Sequence, residues 1–254
     1  MMLCEKGKES DVSKYHLKWI AQKKLDGVRC IAYCGSEITL IGRSGSNYTS
    51  KFPEIVNDLK GFNGVLDGEI MCETFDKTAS RVHTENKLKS KLLVDEYPAV
   101  FNVFDILNDG KMDFKDDMLI TRLKILQEIG FVGKKSVKVV DYTPDLIKLW
   151  ETAKTENWEG IIIKNPKSKY EERRSFNWLK IKYIKSRDIL VKSYEINPAG
   201  IRIEEGNIAC QISGHNGQEV KKLIDETGSC LIEINYLNET TSGKLRMPVF
   251  KTIK

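Results

Sequence analysis

The sequence predicts an α+β chain in two parts, a large mixed domain over residues 1–185 and a small all-β-like domain over 186–254. Three observations carry this. Short apolar or alternating runs broken by Gly and Ser recur through the first half. Segments with helical apolar spacing and Gly or Pro punctuation lie between them, without the regular alternation of a parallel α/β sheet. From about Ser186 the texture changes to short strands spaced by Gly, Asn and Ser turns.

In chain order, "KWIAQKKL", "VRCIAYC" and "EITLIGRSG" read as strands. "FPEIVNDLKGF" reads as a helix ended by Gly61, and "GVLDGEIMC" as the next strand. "TENKLKSKLLVDE" predicts a helix before the strongly apolar "YPAVFNVFDIL". "MLITRLKILQEIGF" has apolar residues every three to four positions and a Gly near its end, a helix signature. "TPDLIKLWETAKTEN" is another, with Thr143 as cap, Pro144 in the first turn and Asp145 complementing the helix dipole. "EGIIIKNP" and "NWLKIKYI" follow as buried strands. Beyond them, "DILVKSYEI", "IRIEEGNIACQIS", "SCLIEINYLN" and "KLRMPVFKTI" are short strands around one helix or turn at "GQEVKKLIDE". Roughly five strands in so short a segment suit a small barrel of the oligonucleotide/oligosaccharide-binding (OB) type.

Composition bounds the function classes. With 254 residues the chain can bury a real core, and 30% charged and 9% aromatic residues exclude a disordered polymer. A net charge of +5 is compatible with a polyanionic partner without demanding one. The six cysteines include no Cys-x-x-Cys pair, and no histidine stands near them in a zinc spacing, so reduced, mostly buried thiols are expected. No apolar segment has signal-peptide or membrane-spanning length, which predicts no membrane association. The expected compartment is the cytoplasm, with the nucleus or a viral factory as alternatives for a eukaryotic or viral source.

The stretch most suggestive of chemistry is "QKKLDGVR". A lysine becomes a nucleophile only when desolvation or nearby positive charge lowers its pKa of about 10.4. Lys24 follows an apolar strand, Lys23 and Arg29 add positive potential, Gly27 lets the backbone turn close to a ligand, and Asp26 can hold a hydroxyl or a metal. The competing assignment is a solvated hairpin turn, for which Asp-Gly is a common signal. Lys180 and Lys182 alternate with Leu179 and Ile181, which points both ammonium groups to one side of a strand, and a solvated strand face is their rival role. Asp67 and Glu69 likewise share a strand face, and with Glu159 they form a carboxylate set suited to magnesium, the alternative being bonds to turns and ribose hydroxyls.

Taken in order, these elements resemble the covalent nucleotidyltransferases, and the wording "KLDGVR" looks like the ATP-dependent DNA ligases in a minimal two-domain form. Lys24-x-Asp26-Gly27-x-Arg29 resembles the nucleophile motif. "GRSGSNYT" with Arg43, "VLDGEI" with Asp67 and Glu69, "VFNVFDIL" with Phe104, "WEGIIIKNP" with Glu159 and Gly160, and "NWLKIK" with Lys180 and Lys182 resemble the elements that follow it. The resemblance implies a nucleotidyltransferase (ATP-grasp-like) domain of antiparallel sheets with flanking helices, followed by an OB-fold barrel. It also implies roles. Lys24 is the nucleophile, Lys180 and Lys182 bind the α-phosphate, and Arg29 and Glu69 contact ribose. Glu159 is the better metal ligand, with Asp67 beside it, and Arg43 contacts the 5′-phosphate of a nick. Phe104 would stack on the base, although core packing competes for so apolar a run. Arg173, Arg174 and Arg246 are candidate DNA contacts, the first two being ordinary surface charges otherwise.

The implied cofactors are ATP and magnesium, with manganese as a substitute, and the implied partner is nicked duplex DNA, bound by a monomer in a salt-sensitive manner. The small domain would close over ATP and then rotate onto DNA about a hinge near Ser186. "LRMPVFKTIK" resembles the start of the family's C-terminal element but stops at Lys254, where an Arg-x-Asp-Lys signature would begin; Arg246, Lys251 or Lys254 are the candidate replacements. The alternatives are an RNA ligase or an RNA-capping guanylyltransferase with the same lysine chemistry, and a non-catalytic nucleic-acid-binding relative.

Overall fold

The computed structural model describes residues 1–240 and 242–254. The chain divides into two compact units, Met1–Ile181 and Lys182–Lys254.

The first unit contains β1 (Leu3–Lys6), α1 (Ser10–Tyr15), β2 (Ile20–Lys23), β3 (Val28–Cys34), β4 (Ile38–Gly42), α2 (Pro53–Leu59), β5 (Gly64–Met71), α3 (Phe75–His83) and α4 (Lys87–Glu96). It continues with β6 (Val100–Asn108), α5 (Leu119–Ile129), β7 (Val137–Val139), α6 (Leu146–Thr155), β8 (Gly160–Lys164) and β9 (Arg174–Lys182), the last residue of which opens the second unit. Two sheets result, in the orders β4-β3-β5-β6-β7 and β1-β9-β8-β2. β3 pairs antiparallel with β4 and β5, β5 with β6 and β2 with β8, while at the edges β1 runs parallel to β9 and β7 parallel to β6.

The antiparallel ladders follow from the side-chain alternation. Cys30, Ala32, Leu66, Ile70, Phe101 and Val103 face one core together with Phe52, Ile55, Leu59, Leu119, Leu123 and Leu126 from α2, α5 and their flanks. α2 begins with Pro53 in its first turn, where the missing N–H is harmless, and α5 ends at Gly130, whose φ of 63° is the left-handed cap. Two buried ion pairs tie helices to this frame. Arg122 on α5 donates from Nε and a terminal nitrogen to both oxygens of Asp105 on β6, at 2.8 and 2.9 Å, with neither side chain exposed. Arg81 on α3 pairs with Glu54 on α2.

Several elements depart from expectation. α3 has no apolar stripe because its buried residues are Thr78 and Arg81, the latter 1% exposed and bonded to Glu54, so no hydrophobic period announces it. Its cap is Thr74, which accepts from the Lys77 amide. α6 is capped by Asp145, which accepts from the Lys148 amide, and not by Thr143, whose backbone pairs with Ala21 instead. All six thiols are unpaired, and all but Cys4 are buried.

The second unit contains β10 (Lys185–Val191), β11 (Glu195–Asn197), β12 (Gly200–Glu205), β13 (Ile208–Ile212), α7 (Gly214–Thr227), β14 (Cys230–Tyr236) and β15 (Val249–Ile253). Two antiparallel three-stranded sheets, β10-β14-β15 and β11-β12-β13, share a core of Ile189, Val191, Ile201, Ile203, Ile212, Ile232 and Ile234, with Val220 and Ile224 of α7 against it. Among the described residues no hydrogen-bonded ring closes the expected barrel. β11 has only three residues, and the β14–β15 ladder carries a bulge at Glu233/Ile234. Ser186, expected near a hinge, already lies in the β10 ladder opposite Asn235, and Tyr183 and Ile184 connect β9 to β10.

Candidate active site

The site begins where β2 turns into β3. A Cβ on Gly27 would sit 2.2 Å from the Ile70 carbonyl oxygen and 2.6 Å from Met71 Cγ, so only glycine lets the turn pass against β5. The Lys24 amide donates to the Gly160 carbonyl at 3.0 Å, and its ammonium forms an ion pair with Glu159. Both side chains are largely buried, at 17% and 6% exposure. Lys23, its neighbour, lies 4.1 Å over the Trp158 ring.

Two residues past the turn, Arg29 stands opposite Glu69 in the β3–β5 register. Its guanidinium donates twice to Asp67, both bonds 2.6 Å, and once to the Met2 carbonyl at 3.2 Å. Tyr170 completes the shell by donating its hydroxyl to Asp67 Oδ2 at 2.6 Å. Burial disfavours the Arg29 charge, but the Asp67 carboxylate more than offsets it and the net shift is upward. Glu69 is pushed up to about 7, by burial first; Arg29 and Lys24 pull it down, while Asp67 and Glu159 add like charge.

Phe104 is 9% exposed and belongs to the core, in edge contact with Trp178 at 6.2 Å between centroids. Arg29 lies 4.5 Å and Lys164 4.6 Å from its ring centre, so both packing and a cation-lined environment are realised. Lys164 is 2% exposed, donates to Gln22 Oε1 at 2.5 Å and sits 3.9 Å over Trp178. Burial lowers its pKa to about 8. The Trp178 Nε1 is buried without an acceptor.

The structure therefore brings together Lys24, Arg29, Asp67, Glu69, Phe104 and Glu159. Asp26 lies in the β2–β3 connection, and Lys180 is on β9 opposite Lys6, within electrostatic reach of Cys4 together with Lys24. Lys182 and Arg246 belong to the second unit. Arg43 is exposed just past β4. Arg173 pairs with Glu171 at 2.7 Å, and Arg174 donates to the Cys4 carbonyl at 2.6 Å, both on the surface. Lys251 and Lys254 are both held by Glu233, at 2.8 and 3.0 Å. Asp67, grouped with Glu159 as a metal ligand from sequence, has its carboxylate committed to Arg29 and Tyr170. Gln22, Tyr170 and Trp178 were not singled out by sequence, and burial of polar atoms, their shared signal, is invisible there.

Among the described residues, no group of three or more His, Cys, Asp or Glu side chains is placed to hold a metal. Of the carboxylates grouped from sequence, Glu159 lies against Lys24 and is the one placed to share a cation with a phosphate there. Magnesium takes one or two carboxylates together with phosphate oxygens, and a single carboxylate such as Glu159 meets that need. Among the described residues no helix is long and apolar enough to cross a membrane.

A largely buried amine ion-paired to a carboxylate, with an arginine and a lysine against a nearby aromatic ring, is a grouping suited to nucleotide chemistry. The family model described as "ATP dependent DNA ligase domain" matches residues 1–182, and the chain belongs to this family. It is 28% identical over 253 residues to the SPbeta prophage-derived DNA ligase-like protein LigB of Bacillus subtilis (strain 168), covering 92% of each chain. It is 30% identical over 206 residues to the bifunctional non-homologous end joining protein LigD of the same organism, covering 71% of this chain and 34% of that one. The chain thus spans nearly all of the first relative and about a third of the second. Among solved structures, Pmar-Lig_Pre superposes with a TM-score of 0.76 at 20% identity, over 99% of this chain and 67% of that one, which establishes the fold.

Proposed function

We propose that this chain is an ATP-dependent DNA ligase that seals 5′-phosphate/3′-hydroxyl nicks in duplex DNA, with Lys24 as its nucleophile. The observation that carries the proposal is the largely buried Lys24–Glu159 pair, within electrostatic reach of Glu69, which also feels Arg29, itself packed on Phe104. In this reading the first unit is the adenylation domain and the second the OB domain.

Lys24 Nζ attacks the α-phosphorus of ATP. The N–P bond forms, the bond to the bridging oxygen breaks, the amine loses its proton and pyrophosphate leaves. The adenylyl group then passes to the 5′-phosphate at a nick, and the 3′-hydroxyl attacks that phosphate and releases AMP. Glu159 orients the amine. Arg29 and Glu69 face the ribose and Phe104 the base, while Lys180 and Lys182 oppose the charge that grows on the phosphate oxygens. Magnesium, or manganese in its place, would be held by Glu159 and would supply Lewis-acid stabilisation of phosphate charge. Asp67 holds Arg29 in position. Arg43, Arg173, Arg174 and Arg246 supply contacts to the DNA backbone.

Mass spectrometry after incubation with ATP and magnesium is expected to find AMP on Lys24, and Lys24→Ala to carry none while still sealing pre-adenylated nicks. AMP on a different lysine, or nick sealing from ATP by the Lys24→Ala protein, would overturn the assignment.

A further inference from the structure

β1 is the edge strand of its sheet, and it sets one lysine beside another. In the parallel β1–β9 ladder Lys6 stands against Lys180, and the Gly7 amide donates to the Lys180 carbonyl at 3.0 Å. Residues paired across a ladder point to one face, so the two lysine stems run side by side. Gly7 marks the opposite face: a Cβ there would meet Ile181 Cγ1 at 3.1 Å and Leu179 Cβ at 3.2 Å, the buried neighbours of Lys180 on β9. Cys4, two residues before Lys6 and on its face, has Lys164, Arg29, Lys180 and Lys24 as electrostatic neighbours. The Lys6 side of β1 therefore looks onto the cations of the candidate active site.

Like charges directly opposite one another on neighbouring strands repel. The acids nearest to Lys6 in sequence do not relieve this. Glu5 alternates to the other face and lies 3.9 Å from Arg174, and Asp11 accepts the Lys8 amide at 2.8 Å. Among the described residues Lys6 is exposed and has no ion-pair partner. Two lysines on strands about 4.8 Å apart suit an anion made of linked charged groups, one lysine to each.

We propose that Lys6 is a further phosphate-binding residue of the adenylation step, holding the part of ATP beyond the α-phosphate beside Lys180 and steadying it as it departs as pyrophosphate. The proposal rests on the ligase reading above. Attack by Lys24 breaks the bond between the α-phosphorus and the bridging oxygen, whose electron pair stays with that oxygen, so negative charge grows on the leaving pyrophosphate. An ammonium next to the α-phosphate lysine opposes that charge, and its exposure leaves the product a way out to solvent.

The test uses the full chain as parent, Lys6→Ala and Lys6→Arg. It measures lysyl-AMP formation from labelled ATP by rapid quench, reversal of the adduct by inorganic pyrophosphate, and sealing of a pre-adenylated nick. Lys6→Ala should lower kcat/KM for adduct formation about tenfold and raise the pyrophosphate needed for reversal about tenfold, as for loss of one charge-assisted bond. Lys6→Arg should recover both, and Lys6→Ala should seal the pre-adenylated nick at the parent's rate. Urea unfolding should find Lys6→Ala no less stable than the parent, since it removes a like-charge pair. Parent-like adduct formation and reversal in Lys6→Ala would overturn the assignment. So would a loss that Lys6→Arg does not recover, or slowed sealing of the pre-adenylated nick, which would put the lysine on DNA and not on ATP. A parent that gains no AMP on Lys24 would instead overturn the ligase reading itself.

Discussion

Replacing Glu69 by Gln should stabilise the protein above neutral pH while removing a residue of its site. Glu69 stands across from Arg29, and burial raises its pKa from 4.5 to about 7. At 1.36 kcal/mol per tenfold change this corresponds to roughly 3 kcal/mol for holding it ionised in the folded chain. Because the residue keeps some solvent contact, screening reduces the expected size to about 2 kcal/mol. The sign follows from linkage. The folded state holds this proton more tightly than the unfolded state, so the stabilising contribution is complete below pH 4.5 and is lost as pH rises through about 7. Glutamine resembles the neutral acid and does not titrate. Glu69→Gln should therefore match the parent near pH 4.5 and exceed it by about 2 kcal/mol at pH 8, in EDTA and without nucleotide. Urea unfolding followed by tryptophan fluorescence measures this cleanly, since all four tryptophans (19, 150, 158 and 178) lie in the first unit. With a urea m-value of about 2 kcal/mol/M, the midpoint at pH 8 should move up by about 1 M. A stability difference that is the same at both pH values, or a less stable variant at pH 8, would refute the reasoning.

Lys164→Met should also stabilise at pH 7, by about 3 kcal/mol at most, because the lysine is buried and its pKa falls from 10.5 to about 8. Here the folded state binds its proton less tightly, so the gap between variant and parent should close as pH rises through about 8 towards 10.5, in the same unfolding assay. Asp67→Asn leaves the Arg29 guanidinium buried without its carboxylate, a loss of about 3 to 5 kcal/mol. Calorimetry should register it as a fall of roughly 10 °C in the melting temperature of the first unit. Lys180→Ala should slow lysyl-AMP formation by about a hundredfold, measured by rapid quench with labelled ATP, as expected for loss of one charge-stabilising donor.

Elements with a strong apolar period were legible from sequence. β3 and β5 were read almost to their ends, and α5 with its terminal Gly130 needed only spacing and a left-handed cap. α3 was missed because a charged residue takes the place of an apolar one on its buried face, and its partner Glu54 is 27 positions away. β1 and β7, of four and three residues at sheet edges, were missed because neither stands out by its apolar pattern, whereas the equally short β2 is three parts buried and was read.

The sequence by itself determined which residue types could do the chemistry and in what order they come, because Lys24, Arg29, Glu69, Glu159 and Lys180 stand in short local patterns whose wording survives without coordinates. Only the tertiary structure decided their partners. Asp67 went to Arg29 and Tyr170, and Lys164 was buried against Gln22 and Trp178. These contacts join residues 38, 103 and 142 positions apart. What a buried charge does depends on which opposite charge or acceptor the fold delivers to it, and over such separations that is set by strand register and packing, not by local sequence.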